Sequence, residues 1–315
     1  MSFLAKLKPG SARRGHTPWL AVHAGEAALL GALRQPTRDG KRPAVRLLAP
    51  QAVPARASAL RGWRDVVGRR ARANVVLRTV EYRVLPVEPP PLPAAELREA
   101  LRWQVAEALD FPVEDAAIDL LALPAGTASG GRDRRFVVAA PNEHIARWVT
   151  TCKEAELPLA AVDIPEMAMR NLSVLAAEAS AHAFLYVGIR STRLALVWQR
   201  ELCSFRQLEI SGQQLVSLPE HERAGVYERL ALEIQRTADS FSRQFSGIEL
   251  EALWLNSVVQ PEAMADALAT QIAQRVHLFD IADHVDIVDG GPVLDLPLGR
   301  DHLLAIGGAL RDDAA

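Results

Sequence analysis

Cysteine is nearly missing from this chain of 315 residues. Its two copies, Cys152 and Cys203, form no Cys-x-x-Cys pair and sit in no Cys/His cluster, so a disulfide framework or a zinc site lacks its ligands. Two buried thiols in a reducing compartment are expected. Long apolar runs are missing too: no stretch reaches the roughly 18 residues that a membrane-crossing helix requires. The start, Met1 to Gly10, sets Lys6 and Lys8 around Phe3, Leu4, Ala5 and Leu7. That stretch is too short for a secretory signal, and no small-residue cleavage site follows it. A cytoplasmic protein is expected, unless a partner carries it elsewhere.

Catalytic signatures are also absent. The sequence holds no Gly-x-Ser-x-Gly, no His-Glu-x-x-His and no phosphate-binding Gly-x-x-x-x-Gly-Lys-Ser/Thr, the patterns of hydrolase elbows, zinc peptidases and P-loops. Eight histidines are scattered, and His277, His284 and His302 lack metal-ligand spacing. Asp283 and Asp286, around His284 and Val285, read as a solvated face. No metal is expected.

Hydrophobic residues make up 49% of the chain, enough for two core-bearing lobes. Charge is balanced overall, with 36 Lys and Arg against 38 Asp and Glu, but it is unevenly spread. Up to Arg83 there are 17 basic and 4 acidic residues; the remainder has 19 and 34. Such asymmetry fits a surface that meets anionic lipid, nucleic acid or an acidic partner, or an arginine-rich composition that serves solubility. A nucleic-acid binder would interleave aromatic residues or carry a helix-turn-helix pattern, and neither occurs here.

A grammar recurs in the two halves. Trp19 to Ala24, Ala27 to Leu33 and Ala44 to Leu48 are short apolar runs separated by turn-forming residues. Ala183 to Gly188, Arg193 to Trp198 and Leu202 to Ile210 repeat it. Both sets read as β-meanders, so a duplicated α/β unit with mixed sheets is expected. Helices are predicted over Ala94–Leu109, Glu222–Phe245, Pro261–Val276 and Asp301–Leu310. Gly247 is the expected C-cap of the second. Leu85 to Pro93, with five prolines, reads as a stiff crossing, and Ala125 to Asp133 as a loop.

Four segments carry a resemblance. Leu97-Arg98-Glu99-Ala100-Leu101-Arg102-Trp103-Gln104-Val105 runs into Phe111-Pro112-Val113-Glu114-Asp115. Phe136 to Pro141 leads through the helix Asn142–Glu154 to Leu159-Ala160-Ala161-Val162-Asp163-Ile164-Pro165-Glu166. Leu232-Glu233-Ile234-Gln235-Arg236-Thr237 and Leu304 to Leu310, with Gly307-Gly308, complete the set. In this order they resemble the PilM family of actin-like pilus proteins, and within it MshI of the MSHA pilus. The resemblance implies an α/β, actin-like (FtsA- and PilM-like) fold of two duplicated ribonuclease H-like lobes with an inserted α+β subdomain. Residues 1–84 would form the first-lobe core, 85–160 the insertion, 161–180 the return to the first lobe and 181–315 the second lobe.

It further implies a peripheral place under the inner membrane, holding the short cytoplasmic tail of a single-pass PilN-like (here MshJ-like) partner. Anionic lipid would face the basic first lobe. Trp103 and Phe111 are candidate anchors for the tail, with core packing as the alternative for each. Actin-like ATPases carry an Asp-x-Gly turn in each half and a Gly-Gly turn at the adenosine. Here His23 replaces the first aspartate, leaving Gly25; Tyr186 replaces the second, before Gly188; and Asn256-Ser257 replaces the glycine pair. Thr192 survives from the second turn, and Gly290-Gly291 reads as an ordinary loop. The expectation is a degenerate site, with no cofactor and no enzyme activity. An ATP-binding PilM-type protein, or a GspL-like scaffold of type II secretion, are the alternatives.

Overall fold

A computed structural model of the chain describes residues 19–25, 28–36, 42–68, 70–121, 135–288 and 302–311. Three strands, β1 (Trp19–Ala24), β2 (Ala28–Gln35) and β3 (Ala44–Ala52), form the first antiparallel meander. Helix α1 (Arg56–Val67) returns the chain to β4 (Arg72–Val76), which lies parallel to β1. The chain then leaves through β5 (Arg83–Val87), α2 (Ala94–Val105), β6 (Ala116–Leu121) and β7 (Arg135–Pro141). These strands make a separate antiparallel sheet in the order β5-β7-β6. Helix α3 (Asn142–Glu154) brings the chain back to β8 (Leu159–Asp163), parallel to β4, and α4 (Pro165–Ala176) follows.

The second half repeats the plan. Strands β9 (His182–Val187), β10 (Thr192–Trp198) and β11 (Glu201–Leu208) form a meander. After α5 (Gly212–Ser217) and α6 (Glu220–Gln244) comes β12 (Ala252–Ser257), parallel to β9. Helix α7 (Pro261–Ala269) then leads to β13 (Arg275–Leu278), parallel to β12. Each half therefore orders its strands third, second, first, fourth, fifth: β3-β2-β1-β4-β8 and β11-β10-β9-β12-β13. This is the duplicated unit expected from the two meanders. The small sheet is inserted between the fourth and fifth strands of the first copy.

The last described elements leave the second half. After α8 (Ile281–His284), β14 (Asp286–Ile287) pairs in parallel with β3 at the edge of the first sheet. Helix α9 (Leu303–Ala309) packs against β1, β2, β4 and α4. Residues that the sequence division assigned to the second lobe thus lie on the first. The reason is apolar content: every residue of α9 is buried, against the first sheet and α4. Glycines permit the approach. A Cβ on Gly307 would lie 2.2 Å from the Ala168 carbonyl oxygen, and one on Gly308 2.6 Å from Val76 Cγ2. Two buried amides satisfy the carbonyls at the helix end: Asn171 Nδ2 donates to Gly307 O and Asn74 Nδ2 to Gly308 O, each at 2.9 Å.

Other boundaries moved. The helix predicted over Pro261–Val276 stops at Ala269, and Arg275 to Leu278 pair with β12 as a strand instead. The helix predicted to Leu109 finishes in a 3-10 turn at Ala106–Ala108. Leu85 to Val87, read as part of a stiff crossing, belong to β5. Pro86 is tolerated there because β5 is an edge strand, where a missing N–H breaks no ladder. The stretches Met1–Gly10 and Ala125–Asp133 and the pair Gly290-Gly291 lie outside the described residues.

Strand periodicity divides the core. In β9, Ala183, Leu185 and Val187 face the cluster of α6 and α7, whereas Phe184 and Tyr186 face the first lobe; side chains alternate across a strand, so both faces are covered. The insertion has its own small core around Leu101, Val105, Val113, Ile118 and Val137. Cys152 and Cys203 are buried free thiols, each pushed up to about 12 by burial.

Candidate functional site

In open α/β sheets, ligands enter where parallel strands end at their carboxyl side. Here those ends are His23 on β1, Val76 on β4 and Asp163 on β8 in the first lobe. Val187-Gly188 on β9 and Ser257 on β12 are their counterparts in the second. The three turns singled out in the sequence are all at this level of the molecule.

The imidazole of His23 meets the Val76 carbonyl, with Nδ1 and O 3.1 Å apart. A carbonyl only accepts, so Nδ1 carries the proton and donates. Burial pushes the ring's pKa down to about 4, with Arg193 and Arg78 adding to the effect, while the Val76 bond and Glu81 oppose it. At neutral pH His23 is therefore uncharged. It supplies neither the carboxylate that would orient a magnesium-bound water nor a cation for phosphate. The Gly25 N–H is turned back on the His23 carbonyl at 3.1 Å.

The second turn is closed from both sides. Tyr186 leans over it: a Cβ on Gly188 would lie 3.0 Å from the tyrosine Cε1 and 3.1 Å from its hydroxyl. The Gly188 N–H, a donor that a phosphate would need, is spent on the Ser191 carbonyl at 2.9 Å. From behind, the start of α5 donates Gly212 N–H to Gly188 O at 2.8 Å and Gln213 N–H to Ile189 O at 2.7 Å. Thr192 is fully buried and pairs with Val187, a residue that faces the α6 side. Its register therefore turns it away from the first lobe, and its hydroxyl has no partner among the described residues. At the third turn, Asn256 Nδ2 donates to Phe279 O at 3.0 Å and Ser257 Oγ donates to Val259 O at 2.6 Å. Ser257 thus braces the loop leaving β12, and Asn256 ties β12 to the residue that follows β13.

Between the lobes lie residues that the sequence reading missed. Arg193 stands across β10 and β9 from Tyr186, and Tyr186 across β9 and β12 from Asn256, so the three share the face turned to the first lobe. The Arg193 guanidinium is buried and donates through Nη1 to Ser191 Oγ at 2.8 Å and through Nη2 to Thr79 Oγ1 on the other lobe. Beside it, the Tyr82 hydroxyl donates to Glu166 Oε2 at 2.5 Å, with both residues buried. Burial raises the Glu166 carboxyl, and the Arg193 charge and the Tyr82 hydrogen bond pull it back. Burial and the facing Glu166 raise the Tyr82 phenol well above its ordinary value. Asp163, at the end of β8, accepts from Ile164 N–H at 2.9 Å and from Arg311 Nη1 at 2.9 Å. Asp163 and Glu166 belong to a stretch noted in the sequence. Arg193 immediately follows Thr192, but only strand register shows where it points.

Trp103 and Phe111, the two candidate anchors, differ.

 Trp103 is 61% exposed on the outer face of α2. Phe111 is half-buried against the core of the insertion. No group of three or more His, Cys, Asp or Glu side chains is placed to hold a metal ion among the described residues.

Two ribonuclease H-like lobes, with an α+β insertion before the last strand of the first, define an actin-like fold. No family model and no curated protein matches this chain. Among solved structures, it is similar to a chain of the PilM–PilN type IV pilus biogenesis complex, with a TM-score of 0.66 at 20% identity. The match covers 94% of this chain and 98% of that one. It is also similar to the cytoplasmic domain of EpsL, an inner-membrane component of the type II secretion system of Vibrio cholerae. There the TM-score is 0.51 at 13% identity, covering 94% of this chain and 96% of the other. At such identities the likeness is one of fold, and it agrees with the fold expected from the PilM resemblance.

Proposed function

We propose that this chain is a scaffold of an inner-membrane assembly platform of the type IV pilus or type II secretion kind, and that it neither binds nor hydrolyses ATP. The observation that carries the reading is the nearly end-to-end likeness to the chain of the PilM–PilN complex. The cleft supports its non-catalytic part. Both phosphate-turn aspartates are replaced, the Gly188 N–H is spent, and Arg193 bonds across the space between the lobes. The partner is the short cytoplasmic tail of a single-pass PilN-like protein, MshJ-like if the system is an MSHA pilus. The basic first lobe lies toward anionic lipid, gaining about 1 kcal/mol for each Lys or Arg held near the surface. No described helix is long and apolar enough to cross a membrane. The likeness to EpsL keeps type II secretion as the second system.

The test is capture of partners by the tagged protein from detergent-solubilised membranes of its host, followed by mass spectrometry. Enrichment of a small single-pass protein with other platform components is the expected result. Recovery of soluble proteins alone would overturn the platform reading. In parallel, titration with Mg·ATP in a calorimeter should give no saturable heat; a measurable Kd would restore the ATP-binding alternative.

A further inference from the structure

The outer face of α2 takes no part in the insertion's core. That helix turns Leu101 and Val105 inward, and its solvent side carries a stripe set by helical spacing. Glu96, Glu99 and Trp103 follow one another at intervals of three and four, so they lie along one side of α2, and Glu107 follows in the 3-10 turn that ends it. All four are exposed, Trp103 at 61%. A tryptophan on a helix that already has a buried side gains nothing for folding from that position. Large aromatic side chains left in water on a polar face are the residues that anchor partners.

The surrounding charge selects the occupant. Glu96 and Glu107 pair with no cation among the described residues, and Glu99 remains 67% exposed although Arg102 Nε lies 3.6 Å away. Arg102 is committed elsewhere, since its Nη1 donates to the carbonyls of Val113 at 2.5 Å and Ala116 at 3.1 Å. Arg98 lies on the other side of the helix by its spacing from Trp103. An indole face with carboxylates along the same stripe attracts Lys or Arg side chains by cation–π contact and charge together.

We propose that this stripe docks a Lys- and Arg-bearing segment of a protein partner, with one cation over the Trp103 ring and others on Glu96, Glu99 and Glu107. Segments of this composition flank membrane spans on their cytoplasmic side. Assigning the segment to a membrane protein rests on the proposed function; the docking surface itself does not.

The probe is a fluorescein-labelled peptide with lysine at every third position and alanine between, titrated into the full chain and followed by anisotropy. Its counterpart with glutamate for lysine is the control. Saturable binding of the lysine peptide alone is expected, weakened about tenfold in Trp103→Ala and less than about threefold in Trp103→Phe. Combining Glu96→Gln with Glu99→Gln should lower both affinity and its dependence on salt. Because these side chains are exposed, the thermal melt of each variant should match the parent. Equal affinity in Trp103→Ala, or no preference for the lysine peptide, would overturn the proposal. Membrane capture separates the two readings. Undiminished capture by Trp103→Ala sinks the docking surface and leaves the platform intact. Loss of peptide binding in Trp103→Ala, with no membrane protein captured by the parent, does the reverse.

Discussion

Removing a single oxygen atom from Tyr82 probes how the space between the lobes is held. The hydroxyl donates to Glu166 Oε2 at 2.5 Å, and the two residues are 3% and 5% exposed. Tyr82→Phe keeps the ring and opens no large cavity, so the loss is that of the hydrogen bond. A bond to a charged group contributes about 1.5–3 kcal/mol, and the carboxylate is left desolvated without its donor. A loss of about 2–3 kcal/mol is therefore expected at pH 8.

The pH dependence makes the test sharper. Burial raises the Glu166 carboxyl in the folded protein, while Arg193 and Tyr82 oppose the rise. An acid with a raised folded pKa binds more protons folded than unfolded, so its ionisation costs stability as pH climbs through that pKa. Tyr82→Phe enlarges the rise, and its cost is fullest above the folded pKa. Below the unfolded value, about 4.3 for glutamate, that cost disappears because the carboxyl is protonated in both states. Urea unfolding followed by circular dichroism should give the larger difference at pH 8 and about 1 kcal/mol or less at pH 4. Combining the change with Glu166→Gln should give less than the sum of the two single losses. A difference below about 0.5 kcal/mol at pH 8, or the same difference at both pH values, would refute the reasoning.

Two further expectations follow from contacts elsewhere. Gly307→Ala sets a methyl group 2.2 Å from the backbone oxygen of Ala168, so α9 must shift, at a cost on the order of 3 kcal/mol; faster trimming of the C-terminal segment by protease is the readout. Gly225→Ala, exposed in the second turn of α6 with nothing within 4 Å of the new Cβ, should stabilise by about 0.5–1 kcal/mol and serves as its control. His23 has a folded pKa lowered to about 4 from 6.5. Its contribution is thus intact above pH 6.5 and lost as pH falls toward 4, by about 3 kcal/mol in all. His23→Gln should flatten that part of the stability profile measured by urea unfolding, and an unchanged slope would contradict the burial of a neutral ring.

The meanders were legible because period-two apolar runs joined by short turns have few other ways to fold. The helix Asn142–Glu154, expected from the resemblance, has those bounds in the structure. What escaped were features decided by contacts distant in sequence. Arg275 to Leu278 look helical alone and become a strand because the edge of β12 is open beside them. Nothing local in Leu303 to Ala309 says which lobe it joins. That choice rests on Gly307 meeting Ala168 and Gly308 meeting Val76, more than 100 residues away in sequence.

The site shows the same division in sharper form. The resemblance reads His23 and Tyr186 as standing where aspartates are expected, and residue type alone needs no geometry to be recognised. Which side chains surround them is not visible, because it depends on register. Strand pairing sets Arg193 directly opposite Tyr186 and Tyr186 opposite Asn256. Cross-strand neighbours have Cβ atoms about 4.5–5.5 Å apart. A carboxylate at position 186 would therefore face the Arg193 guanidinium before it could face a magnesium ion, and pairing with that cation would consume it. With Tyr186 there instead, Arg193 bonds to Thr79 across the lobes, where a carboxylate would turn its charge back within the second sheet.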